Sequence, residues 1–340
     1  MAEPRLPPVD PGIVSDPGIP TLDAVLDPVA MGQRLEPLLP DHWGPVRDVR
    51  FQILKRHRTR CTFEIAWPAA DGERSLIGKV YGADRADVYR AMEEIRREGF
   101  GPADEFSIPE PLAYLPELRL LLQEKVEGPR AKQVFLAGDE RARGDAAERC
   151  ARWLVRLQAL APQVGEPSTV DELLDAVDEW AAALAESGGP LADKAARLGE
   201  RLKAAARGLR PFEMRAGHGH YTCGQILLPE GRTAVFDWDG YDVADPGRDV
   251  ARFVVELKRI GWKNPGAIPA LDEAAAVFVE TYLARSRPGV RDNLAFYAAA
   301  VCLRLAHKDI DRQTARWSEK AEATLDEGLR FLDHGVGGRG

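Results

Sequence analysis

The residues best suited to chemistry lie close together late in the chain. His218-Gly-His220-Tyr-Thr-Cys223-Gly-Gln225 is followed, after the apolar Ile226–Leu228 and a turn, by Ala234-Val-Phe-Asp237-Trp-Asp239-Gly240. A neutral imidazole such as His220 is a competent base near pH 7. Asp237 ends a short apolar run before a glycine, so a strand running into a tight turn would hold a hard carboxylate oxygen where magnesium could bind. Gln225 and Asp239 would add an amide oxygen and a second carboxylate. Carboxylates after a strand also serve as ordinary turn caps, and taken alone these two would be read that way. The spacing His218-x-His220-x-x-Cys223 offers three zinc ligands in one loop, but no fourth Cys or His follows at a finger-like interval.

Positioning such groups needs a framework, and the pattern of the chain suggests one. Residues 1–20 carry Pro4, Pro7, Pro8, Pro11, Pro17 and Pro20 and read as a flexible tail. An interrupted helix is expected from Thr21 to Leu39. Three β-rich runs follow, Val46–Leu54, Arg60–Trp67 and Arg74–Tyr81, the last two joined by the turn Pro68-Ala-Ala-Asp71-Gly72. A helix over about Asp84–Glu98 and an apolar strand over Leu118–Val126 complete an amino-terminal lobe at 21–126. Beyond Gly128 the chain is rich in Ala, Leu and charge at helical spacing: 139–161, 170–186, 191–207, 248–260, 270–285, 290–309 and 314–333. Two short strands at 225–228 and 233–237 interrupt these helices. The expectation is an α+β two-lobe plan. Its small β-rich N-lobe (21–126) precedes a large helical C-lobe (127–334) and a flexible end at 335–340.

Composition narrows the class. Hydrophobic residues make up 45% of the 340, enough for a substantial core. A net charge of −8 argues against nucleic-acid binding, which leaves a strong basic excess. Four scattered cysteines fit a reducing compartment. No basic stretch leads into an apolar run at the amino terminus, and no apolar run approaches the ~20 residues a membrane span requires. A soluble, cytoplasmic protein is expected.

The segments Phe236-Asp237-Trp238-Asp239-Gly240 and Ala244-Asp245-Pro246-Gly247-Arg248-Asp249-Val250-Ala251 resemble the signature of the aminoglycoside phosphotransferase and choline kinase family, a branch of the protein-kinase-like fold. Gln225 replaces the usual asparagine and is similar to the form found in maltokinase-like members. Ile77-Gly78-Lys79-Val80-Tyr81 looks like the strand carrying the phosphate-contacting lysine, and Leu120–Glu124 with Gly128 looks like the hinge that meets adenine. The resemblance spans roughly residues 45–335. It implies ATP, or another nucleoside triphosphate, with Mg2+ as cofactors and a small-molecule hydroxyl as acceptor: a sugar, amino sugar or amino alcohol. Asp237, Gln225 and Asp239 become metal ligands, and Lys79, Gln123, Glu124 and Val126 nucleotide contacts. His218 becomes a buried scaffold residue of the catalytic loop and His220 the residue facing the acceptor. Asp249 is expected to order the loop or cap the next helix.

A carboxylate on the helix after Lys79 would hold that lysine. At ~100° per residue the apolar face is set by Val88, Ala91, Met92 and Ile95; Glu98 lies nearest its edge, Glu94 next, and Glu93 nearly opposite. Two departures matter. No Gly-rich loop opens the first hairpin, where Lys55-Arg-His-Arg-Thr-Arg60 stands either as a solvated basic turn or as a cationic cover for phosphates. His220 also occupies the place of an aspartate. Three readings stay open: His220 is a substitute base, the protein is a catalytically impaired kinase-like nucleotide- or ligand-binding protein, or the loop binds zinc. Acidic residues around Asp171–Glu186 would suit a cationic acceptor, although a solvated helix face has the same composition.

Overall fold

The computed structural model describes residues 16–39, 43–70, 72–161, 163, 165–264 and 268–336. It divides into two compact units, Met1–Glu127 and Gly128–Gly340.

The first unit opens with short helices α1 (Leu22–Val25) and α2 (Pro28–Leu35). Pro28 starts α2, and the Asp27 carboxylate accepts the N–H groups of Val29 and Ala30, a cap that separates the two helices where one interrupted helix was expected. Strands β1 (Arg50–His57), β2 (Arg60–Ala69) and β3 (Gly72–Tyr81) precede helix α3 (Ala86–Arg97), then β4 (Phe106–Ser107), β5 (Pro111–Leu115) and β6 (Leu120–Glu124). Five of these strands form an antiparallel sheet in the order β1-β2-β3-β6-β5. Alternate residues of β2, Cys61, Phe63, Ile65 and Trp67, are fully buried together with Leu76, Val80, Leu120 and Leu122 of its neighbours. Ile19, Leu22, Val25, Met31 and Leu35 pack onto that face. The flexible tail expected over 1–20 therefore does not include residues 16–20. Ile19 is completely buried and Asp16 pairs with Arg56 at 2.6 Å, because an apolar side chain at this point closes the sheet's core. Residues 1–15, Asp71 of the expected turn, and 337–340 of the expected flexible end lie outside the described residues.

The second unit contains α4 (Ala131–Ala137), α5 (Glu140–Leu160), α6 (Val170–Ala185) and α7 (Gly189–Ala206). Short strands β7 (Arg215–Gly217), β8 (Ile226–Leu227), β9 (Thr233–Val235) and β10 (Asp242–Ala244) follow, then helices α8 (Gly247–Lys263), α9 (Ile268–Leu283), α10 (Val290–Arg312) and α11 (Trp317–His334). Asp139 caps α5 through the Ala142 N–H at 2.8 Å. Thr169 and Glu172 form a reciprocal capping box at the start of α6. The acidic positions Asp171, Glu172, Asp175, Asp178, Glu179 and Glu186 are all exposed, which makes this a solvated helix face. Strand β7 pairs with β10 and β8 with β9, both antiparallel, leaving the loops 218–225 and 236–241 between them. Among the described residues no helix is long and apolar enough to cross a membrane.

Candidate functional site

The loop after β7 is fixed from beneath by one carboxylate. Asp249, in the first turn of α8 and 3% exposed, accepts the backbone N–H of His218 at 2.7 Å, of Gly219 at 3.4 Å and of Tyr221 at 3.5 Å. A carboxylate with several main-chain donors holds its charge and its loop together. Tyr221 sends its hydroxyl to the Cys150 carbonyl in α5 at 2.7 Å and stacks on Trp153 at 5.7 Å. Arg149 of α5 ties down the β8–β9 hairpin by donating to Thr233 Oγ1 at 3.1 Å and to the Pro229 carbonyl at 2.9 Å. Gly219 has φ +71°, and a Cβ there would lie 1.7 Å from the Gly240 carbonyl oxygen, so the two loops meet only because this residue is glycine.

His218 is fully buried. Its Nε2 donates to the Phe236 carbonyl at 3.1 Å and its ring meets Trp238 edge-on at 4.8 Å. Burial lowers its pKa, so it stays neutral as a strut between the loops.

The three polar side chains singled out by spacing do converge. Gln225 Nε2 lies 3.1 Å from His220 Nδ1 and 3.3 Å from Asp237 Oδ2, while Gln225 Oε1 accepts from the Thr222 hydroxyl at 2.8 Å. This pattern fixes the amide's orientation, since the reverse would set a carbonyl oxygen against the Asp237 carboxylate. The same orientation fixes the imidazole: Nδ1 accepts a hydrogen bond, so the proton of the neutral ring sits on Nε2. Burial first, then the positive charges of Arg252 and Lys308, push the His220 pKa down to about 3, with Asp237 opposing them. His220 is neutral at any physiological pH. Asp237 sits at φ +74°, ψ +59°, a left-handed conformation uncommon outside glycine, at the junction of β9 and the turn Trp238–Gly240.

Asp237, a hard carboxylate held in an unusual turn, fits a magnesium ligand, because that ion takes one or two protein carboxylates and completes its shell with phosphates and water. Gln225 presents nitrogen rather than oxygen toward Asp237, so its amide must turn over to ligate the same ion. Asp239, two residues further on within the turn Trp238–Gly240, is partly buried. Among the described residues no three His, Cys, Asp or Glu side chains gather as metal ligands, and Cys223 is buried with its thiol pushed up to about 12 by that burial. The zinc reading of this loop therefore lacks its ligand set.

In the first unit, Lys79 is 7% exposed on β3, its ammonium 5.7 Å from the Tyr81 ring. Its strand pairs with β6, with Ile77 opposite Gln123 and Lys79 opposite Leu121. The main-chain N–H of Glu124 donates to the Glu110 carbonyl at 2.8 Å, and its carboxylate accepts the Glu110 N–H at 3.0 Å. Val126 is half-buried. The buried face of α3 consists of Val88, Ala91, Met92 and Ile95; Glu94 and Glu98 are exposed, whereas Glu93 binds Arg96 and Arg97 at 3.2 and 2.8 Å. The basic turn 55–59 is exposed.

Sequence reasoning missed the cations around His220. Arg252 in α8 is 4% exposed, and Arg304 and Lys308 in α10 are half-buried. The available signal was the four-residue spacing of Arg304 and Lys308 on α10; Arg252 left none. Thr222 and Asn293 were also missed; Asn293 donates to Asp245 Oδ2 at 2.8 Å and so braces the loop before α8.

Comparison with known proteins places this geometry. No curated protein matches the sequence. Among solved structures, the choline/ethanolamine kinase family protein from Mesorhizobium loti superposes with a TM-score of 0.61 at 16% identity, covering 90% of this chain and 95% of its own. A thermostable mutant of the aminoglycoside phosphotransferase APH(4)-Ia, in a ternary complex with AMP-PNP and hygromycin B, gives 0.62 at 16% identity, covering 88% and 98%. Choline kinase from Cryptosporidium parvum gives 0.61 at 13% identity, covering 91% and 98%. These likenesses establish the protein-kinase-like α+β fold, with a small sheet-rich lobe and a large helical one. The Phosphotransferase enzyme family matches residues 70–297, more than half of the sequence. The chain belongs to the phosphotransferase enzyme family.

Proposed function

We propose that this protein is an ATP- and magnesium-dependent phosphotransferase acting on a hydroxyl of a small molecule. The observation that carries the reading is the hydrogen-bonded line His220–Gln225–Asp237, braced by Thr222 and seated on Asp249. Three groups spaced along the sequence are locked into one polar surface of the helical unit. Phosphoryl transfer asks a protein for positioning and charge neutralisation more than for covalent work, and a rigid polar line of this kind supplies positioning. Magnesium bound at Asp237 would neutralise charge on the transferring phosphoryl group. Lys79 would add a point charge on the nucleotide phosphates, and main-chain groups of Gln123–Val126 would meet the base. The AMP-PNP and hygromycin B held together in the APH(4)-Ia complex support this class of ligand pair.

His220 takes part as a hydrogen-bond donor in this reading. With its Nδ1 lone pair engaged by Gln225, the ring presents Nε2–H, which orients an acceptor oxygen but does not remove its proton in the ground state. Because base catalysis contributes only ~10²–10⁴-fold, a donor at this place leaves a slow enzyme rather than none. The same observation favours a second reading, a nucleotide-binding member of the family that does not transfer phosphate.

The test is ATP turnover by wild type, His220→Ala and His220→Asp against hydroxyl compounds of neutral, cationic and anionic character. The phosphotransferase reading expects acceptor-dependent turnover in wild type, lost in His220→Ala and retained or raised in His220→Asp. Nucleotide binding with no turnover in wild type and His220→Asp alike moves the conclusion to the second reading.

A further inference from the structure

The most unusual electrostatic feature of the helical unit is a knot of cations with too few anions. Arg248 is paired with Asp242, and Arg259 with Asp309 at 2.9 Å, so neither calls for explanation. Arg252, Arg304 and Lys308 differ. Arg252 is 4% exposed and gives a single ion pair, Nη2 to Glu256 at 2.9 Å; its Nε and Nη1 are buried without a hydrogen-bond partner among the described residues. Buried guanidinium donors are almost always satisfied, because an orphaned one forfeits its hydration for nothing.

On α10, which packs against α8, Arg304 and Lys308 stand one helical turn apart and half-buried, with no hydrogen bond or ion pair among the described residues. Glu256 is the carboxylate common to all three cations. Burial, then Arg304, Arg252 and Arg312, push Lys308 down to about 8, and burial, then mainly Arg304 and Arg259, lowers Arg252 to about 10. Asp249 acts on Arg252 as well, and two of the three cations, Arg252 and Lys308, also act on His220.

We propose that Arg252, Arg304 and Lys308 form an anion subsite beside His220, which holds an oxyanion group, phosphate or carboxylate, carried by the hydroxyl-bearing substrate. The two unsatisfied guanidinium nitrogens and the Lys308 ammonium are donors suited to such a group, and an incoming anion would restore the missing charge. The Nε2–H of His220 adds a further donor at its edge. The assignment of this anion to the acceptor rests on the phosphotransferase reading; the existence of the subsite does not. It also separates this chain from an enzyme for amino sugars or amino alcohols, whose cationic groups these side chains would repel.

Thermal-shift titrations with inorganic phosphate, malonate and glucosamine, at constant ionic strength and with or without saturating Mg-ADP, test the subsite. Phosphate or malonate should raise the melting temperature saturably, whichever is preferred naming the oxyanion, and glucosamine should not. The shift should persist with Mg-ADP present. Arg304→Met and Lys308→Met, chosen because Arg252 is a core residue, should each weaken the anion about tenfold, the loss expected for one charge-assisted bond, while keeping the Mg-ADP shift. No saturable anion shift, an unchanged affinity in both variants, or a shift abolished by Mg-ADP would overturn the proposal, the last by assigning the cations to the nucleotide. An anion shift without any Mg-ADP shift would uphold the subsite and reject the phosphotransferase reading instead.

Discussion

Gln225 decides what its neighbours can do. Its amide gives one hydrogen to His220 and one to Asp237 and receives one from Thr222, so a single side chain sets the tautomer of the imidazole and faces the carboxylate. The consequence is measurable without any ligand. Nitrogen-15 NMR of histidine-labelled protein at pH 7 should show His220 as the neutral Nε2–H tautomer, and Gln225→Leu should release that preference. A protonated ring, or a proton on Nδ1 in the wild type, would contradict the hydrogen-bond assignment. The sequence made His220, Gln225 and Asp237 visible because their spacing follows a loop of fixed length. It did not reveal Thr222 or the tautomer, since neither leaves a mark in spacing: both depend on which way an amide turns in three dimensions. Arg252 was hidden for a related reason, as an arginine on an amphipathic helix ordinarily lies on the solvated face.

At the level of elements, the site depends on two loops crossing at Gly219 and on the contact between α8 and α10. Gly219→Ala must relieve both a positive φ and a Cβ lying 1.7 Å from the Gly240 oxygen. The expected cost is at least ~1–3 kcal/mol from backbone strain alone, read in chemical denaturation, together with loss of any nucleotide-dependent magnesium binding. A variant as stable as the wild type would show that the loops do not need this close approach.

On α10, Lys308 titrates at about 8 in the folded protein against an ordinary value of 10.5. Between those values the unfolded chain holds a proton that the folded one has released, so stability should rise with pH through that window. Below about pH 8 the full penalty remains. Lys308→Met should therefore raise stability at pH 7 by on the order of 1 kcal/mol, after allowance for partial exposure, and should flatten the alkaline rise; a loss of stability would contradict the excess of positive charge. The long helices and the β1–β2–β3 meander were legible because periodicity repeats over ten or more residues. Strands β5, β7 and β10 were not read, and they span five, three and three residues. Runs that short show no alternation, and pairing with distant partners decides them. Helix α4, seven residues, was lost for the same reason.

For the molecule as a whole, the family and its α+β architecture follow from a signature around Asp237–Asp249 that the structure converts into support: Asp249 under the loop, Asp245 and Asn293 bracing the start of α8, and Asp237 on its left-handed turn. What the signature did not convey is the charge of the surroundings, because the cations come from two helices separated by dozens of residues. The central claim, that this framework still handles a magnesium nucleotide, is tested most directly by calorimetric titration of ATP into wild type and Asp237→Asn, with and without magnesium. The expected result is that magnesium strengthens ATP binding to the wild type and has little effect on Asp237→Asn, with both proteins folded. No ATP binding to the wild type, or the same magnesium dependence in both proteins, would contradict it.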